Sequence, residues 1–126
     1  MGFNIQSLFL DPHITSPIPW YYNAGTTGDY ESKIQYDVED YYFCNLFYVD
    51  DKPYNKGFKE LKTILDKLNC KSLIRVKSNL YPSTSKRYHH PDHTDYLYPH
   101  KGAIFYVNTN DGFTVLGDGT EIESVE

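Results

Sequence analysis

The sequence predicts a mostly β domain of the α+β class, with one principal amphipathic helix. Three observations carry that expectation. Thirteen of the 126 residues are Tyr and seven are Phe, against two Ala and one Met; aromatic side chains suit a half-buried pleated surface. Short apolar runs are bounded by the turn signals Asp11-Pro12, Asp50-Asp51, Asn110-Asp111-Gly112 and Gly117-Asp118-Gly119. A single stretch, from about Asn55 to Asn69, changes to helical period.

Taken in order, Phe3 to Leu10 reads as an opening strand stopped by Asp11-Pro12. Residues 11 to 30, with Pro12, Pro17, Pro19, Gly25 and Gly28, form a turn-rich connection. In its middle Trp20, Tyr21 and Tyr22 are expected to fold back on the core or rim a pocket, because three adjacent aromatics are costly to expose. Glu31 to Asp40 is mixed. Tyr41 to Val49 is an almost unbroken apolar run and is expected as a central strand covered on both faces.

In the helical stretch Phe58, Leu61, Leu65 and Leu68 recur at three- and four-residue steps, with Lys56, Lys59, Lys62 and Lys67 on the other side as a solvated face. Lys71 to Tyr81 then alternates. Leu73, Arg75, Lys77, Asn79 and Tyr81 share one face, which looks either into a cleft or into solvent. Residues 82 to 92 are a polar loop. Gly102 to Thr109 reads as a buried strand, Phe113 to Leu116 as its antiparallel return, and Thr120 to Val125 as a third strand.

Length allows a single domain spanning residues 1 to 126. With 12 Lys+Arg and 17 Asp+Glu the formal charge is 12 − 17 = −5, which speaks against sequence-independent binding to nucleic-acid phosphates. No basic segment followed by a long apolar run opens the chain, and no stretch approaches the ~20 apolar residues of a membrane span. Gln6 stands where a myristoylation signal wants Ser or Thr. Cys44 and Cys70 lack the close spacing of a zinc or redox motif and read as reduced thiols of a cytoplasmic protein.

Potential metal ligands concentrate in Tyr88-His89-His90-Pro91-Asp92-His93-Thr94-Asp95, with His100 just beyond. The sharpest unit is His93-Thr94-Asp95. On an extended backbone residues i and i+2 point to one side, so an imidazole and a carboxylate converge as two thirds of a 2-His-1-carboxylate facial triad. His89, His90 and His100 read chiefly as loop histidines, and His13 as a surface residue.

In order, Asn79-Leu80-Tyr81-Pro82, a loop, His93-Thr94-Asp95, Gly102-Ala103-Ile104-Phe105-Tyr106-Val107-Asn108 and the turn Asp111-Gly112-Phe113-Thr114 resemble the 2-oxoglutarate- and Fe(II)-dependent oxygenases, in particular the prolyl-4-hydroxylase-like branch with its small microbial and viral members. The resemblance covers residues 70 to 126. It implies a double-stranded β-helix (jelly roll) with His93 and Asp95 as metal ligands for Fe(II). It further implies that Tyr81, with Asn79, faces the co-substrate 2-oxoglutarate, and that ascorbate serves as auxiliary reductant. The implied activity is a dioxygenase that couples decarboxylation of 2-oxoglutarate to hydroxylation of an unidentified substrate, a protein side chain or a small molecule.

The family also has a distal His and a following Arg or Lys, and none of either follows Lys101 here. The sequence is therefore expected to be the N-terminal portion of such a jelly roll, open to self-association through unclosed sheet edges. The other reading is a truncated or degenerate non-catalytic relative, acting as a metal-binding or protein-interaction module.

Overall fold

The computed structural model describes residues 4–13, 18–24 and 41–126. Its organising element is β2 (Tyr42–Val49), the central strand of a four-stranded antiparallel sheet. One edge of β2 carries β1 (Tyr21–Asn23) and, further along, β3 (Lys52–Pro53); the other carries β4 (Arg75–Leu80). Asp50 and Asp51 make the reversal into β3 with φ of 51° and 59°, both left-handed. Two consecutive left-handed residues match the right-handed twist of a tight hairpin, and Asp tolerates that region better than most side chains.

The pairing of β2 with β4 slips between Leu46 and Tyr48, which leaves Phe47 as a bulge residue. Its ring is fully buried and anchors the core with Leu8, Ile18 and Leu61, flanked by Phe9, Phe58 and Val76. Leu8 and Phe9 belong to α1 (Ile5–Leu10), a helix capped by the Asn4 side chain. The expected opening strand is thus corrected to a helix. Leu8 and Phe9 reach the core from one side of a helical turn, and a short apolar run does not distinguish the two periods.

The helical stretch also divides. Asn55 caps a 3-10 helix, Lys56–Leu61, which passes into α2 (Lys62–Leu68) and ends at a left-handed Asn69 with φ of 48°. Only its first half packs closely. Leu61 is buried, whereas Leu68 is 47% exposed, so the stripe read from the sequence leaves the core toward its C-terminus.

β5 (Phe113–Val115) and β6 (Glu121–Glu123) form a separate antiparallel hairpin in which Phe113 faces Glu123 and Val115 faces Glu121. Gly119 closes it with φ of 85°, and the Leu116 N–H donates to the Thr120 carbonyl at 2.9 Å. Residues 102–109 are not a strand, and this is the second correction. β5 takes β6 as its partner, and a pleated apolar run without a neighbouring ladder has nothing to satisfy its backbone. Ile104 and Phe105 stay 65% and 54% exposed. The segment is tethered by Gln6 Nε2, which donates to the Val107 carbonyl at 3.0 Å, and by a 2.7 Å hydrogen bond between the Tyr106 and Thr114 hydroxyls. The fold shown is therefore α+β with antiparallel sheets. No helix among the described residues is long and apolar enough to cross a membrane.

Candidate functional site

His93 and Asp95 lie on an irregular, exposed segment after the polar loop. Their side chains converge, with His93 Nε2 3.9 Å from Asp95 Oδ1. Thr94 between them donates its hydroxyl to the Tyr96 carbonyl at 2.7 Å. The other ring nitrogen, His93 Nδ1, stands 3.1 Å from the Pro91 carbonyl. A carbonyl only accepts, so a hydrogen bond at that contact is donated by the Nδ1–H. Donors bound to one ion at about 2.1 Å stand roughly 3 to 3.4 Å apart, so a small movement would bring His93 Nε2 and Asp95 Oδ1 to a common cation.

The second carboxylate oxygen is engaged. Asp95 Oδ2 accepts a hydrogen bond from Arg75 Nη2 at the start of β4. The Arg75 guanidinium also lies over the Tyr96 ring, 5.3 Å from its centroid, and the Arg75 side chain is 24% exposed. Arg75 thus clasps two consecutive loop residues onto the sheet.

Asn79 and Tyr81, the residues that the resemblance sets toward 2-oxoglutarate, sit at the opposite end of β4. Arg75 and Leu80 are separated there by about 16 Å, at 3.3 Å per residue. Asn79 Nδ2 donates to the Tyr81 hydroxyl at 3.3 Å. The Tyr81 ring stacks on Tyr42 at 5.4 Å and meets His90 at 5.7 Å. The structure therefore gathers Arg75, His93, Asp95 and Tyr96 in one group, and Tyr42, Asn79, Tyr81 and His90 in another.

The remaining histidines have other surroundings. His89 stacks on Phe113, which also receives the Arg87 guanidinium 4.2 Å from its centroid. His100 packs edge-on against Tyr96 and Tyr98. Among the described residues, which include all five histidines, no group of three or more His, Cys, Asp or Glu side chains could hold a metal ion. A facial triad needs three protein donors. The described residues supply two, one of them already paired with Arg75, so they do not fit a closed Fe(II) centre.

A cluster that the sequence did not announce joins β2 to the helix behind it. Asn45, 3% exposed, donates through Nδ2 to the Pro19 carbonyl at 2.7 Å. Asn55 Nδ2 donates both to Asn45 Oδ1 and, at 2.9 Å, to the Leu46 carbonyl, while Asn55 Oδ1 accepts from the Gly57 N–H at 2.8 Å. Both asparagines line an open depression of about 420 Å³ with Pro19, Tyr21, Cys44, Leu46 and Tyr54. The only available signal was a polar residue inside the apolar run at Tyr41–Val49. Of the three adjacent aromatics, Trp20 turns to Phe9 at 6.4 Å, but Tyr21, at the edge of this depression, and Tyr22, against Tyr41 and Phe43, are both more than half exposed. Cys44 and Cys70 are unbonded thiols.

No family model matches this chain, and none of the curated proteins or solved structures matches it.

Proposed function

We propose that this chain is built on the plan of a 2-oxoglutarate- and Fe(II)-dependent dioxygenase of the hydroxylase type, with His93 and Asp95 as its first two ligands. With the donor set described, it binds a divalent cation weakly and does not turn over. The observation that supports this reading is the convergence of His93 Nε2 and Asp95 Oδ1 to 3.9 Å. The order of β4, loop, ligand pair and hairpin is consistent with part of a double-stranded β-helix. Asn79 and Tyr81, at the far end of β4, are the groups assigned to 2-oxoglutarate. The substrate class is a protein side chain or a small molecule, and the two unbonded thiols support a reducing, cytoplasmic setting.

The test is an assay of succinate formation from 2-oxoglutarate with Fe(II) and ascorbate, run beside a Mn(II) titration followed by electron paramagnetic resonance. The expected result is no succinate above background, together with weak Mn(II) binding lost in both His93→Ala and Asp95→Asn. Turnover that depends on both residues would reveal a third ligand, supplied for instance by a second chain, and would overturn the assignment of the chain as catalytically incompetent. A second reading, an interaction module, draws on Tyr21, Tyr22, Tyr54 and Tyr81, all more than half exposed. It predicts Mn(II) binding indifferent to His93 and Asp95.

A further inference from the structure

Residues 102–106 carry the pattern of a strand and have no ladder. Among the described residues, none of their backbone N–H or carbonyl groups enters a hydrogen bond. A Cβ on Gly102 would meet nothing within 4 Å, and Ile104 and Phe105 are 65% and 54% exposed. We propose that this run is an interface between two copies of the chain, which pair antiparallel through it about a twofold axis at Ile104 and so close a dimer. The dimer goes beyond the assignment of His93 and Asp95 and does not depend on it.

Three observations select a second copy. The run is anchored by its own chain just past the free stretch, where the Val107 carbonyl accepts from Gln6 Nε2 and the Tyr106 hydroxyl bonds the Thr114 hydroxyl. An anchored apolar edge with unpaired backbone groups is a template for another extended segment. The run is also self-complementary. Antiparallel pairing about Ile104 sets Ile104 against itself, Ala103 against the partner's Phe105 and Gly102 against the partner's Tyr106, so no charge enters the ladder and the missing Gly102 side chain leaves room for an aromatic ring. Charge then selects the direction. Lys101 stands at one end, and Asp111 follows the other, where the Glu126 N–H donates to Thr109 Oγ1 at 3.1 Å. Antiparallel pairing turns each Lys101 toward the partner's acidic end, whereas parallel pairing in register would set Lys101 on Lys101, and like charges directly opposite destabilise a ladder. Both copies spend the same edge, so the contact closes at two.

Sedimentation velocity of the full chain over a concentration series is expected to show monomer and dimer and nothing larger. Ile104→Pro keeps an apolar side chain but removes the N–H at the twofold axis, and the monomer has no hydrogen bond there to lose. It is expected to stay monomeric, and Ile104→Val to dimerise as the wild type does. Disulfide trapping reads the register, with Cys44 and Cys70 replaced by Ser. Residues directly opposite in such a ladder stand about 5.5 Å apart at Cα, within disulfide reach, so Ile104→Cys is expected to yield a covalent dimer and Phe105→Cys to yield none. Should Ile104→Pro fail to fold, hydrogen exchange of the wild-type chain gives the answer: the Ile104 amide is expected to slow as concentration rises. A monomer at every concentration, an Ile104→Pro chain that associates as the wild type, trapping through position 105 in place of 104, or an Ile104 amide indifferent to concentration would each overturn the proposal. So would growth beyond the dimer, the outcome of parallel stacking.

Discussion

Asn55 is the side chain on which the join between β2 and the helical layer depends, and a series of substitutions there separates its two jobs. Its oxygen caps the 3-10 helix by accepting from the Gly57 N–H, and its amide nitrogen donates to Asn45 Oδ1 and the Leu46 carbonyl. Losing a cap costs about 1 kcal/mol. Leaving the buried Asn45 oxygen without a donor costs a further ~1–3 kcal/mol. Asn55→Ala is therefore expected to destabilise the chain by about 3 kcal/mol, a large share of the ~5–15 kcal/mol that holds a typical domain together. Asn55→Ser keeps a capping oxygen and loses the donations, so it should fall at about 2 kcal/mol. The deciding variant is Asn55→Asp. It keeps the cap and adds a favourable charge at a helix start, but it sets a carboxylate oxygen against two oxygens that need a donor. If the network matters as the geometry indicates, Asn55→Asp is at least as damaging as Asn55→Ala. Urea unfolding at neutral pH, followed by the fluorescence of Trp20, measures all three, with an unchanged m-value as the check that only stability has moved. An Asn55→Asp chain as stable as the wild type would refute the network and leave Asn55 a simple cap.

Three further outcomes are expected. A Cβ at Gly57 would stand 2.9 Å from Phe47 Cε1 and 3.1 Å from Asn55 Oδ1. Gly57→Ala should therefore lower stability by about 1–3 kcal/mol in the same urea experiment, despite the better helix propensity of Ala; a stabilised variant would show that Phe47 can yield. Ile104 and Phe105 lie exposed on a stretch without a ladder partner, so the wild-type chain is expected to self-associate in sedimentation velocity, and the double substitution Ile104→Ser with Phe105→Ser to reduce it. Equal behaviour of the two proteins would clear this segment. The Asp118 carboxyl is held below its ordinary value of 3.8, first by the Thr120 backbone N–H and then by the Thr120 side chain. A depressed folded value means that its contribution is present above 3.8 and is lost as pH falls through the folded value. The Thr120 amide resonance should follow that titration in the acid range, and Asp118→Asn should abolish it.

The sequence by itself determined the elements whose signals are local. Tyr41–Val49, with eight of its nine side chains apolar or aromatic and Asp50-Asp51 at its end, reads as an interior strand and is one over Tyr42–Val49. Asn55 to Asn69 carries a helical period with both ends marked, and its first half winds as a 3-10 helix. The Gly117-Asp118-Gly119 turn likewise follows from backbone geometry over a few residues. Tertiary structure decided what depends on partners distant in sequence. The run at 102–109 has every local mark of a strand and is none, since a strand exists only with a neighbour and β5 pairs with β6 instead. The run at 5–10 is helical because the core accepts Leu8 and Phe9 from a single helical turn. Arg75 alternates as any half-exposed strand residue would, and nothing in that pattern announces that it reaches Asp95, 20 residues away. The pairing of an imidazole with a carboxylate at 93 and 95 is written in the local chain, but the charge that faces it is set by which strand the loop folds back upon.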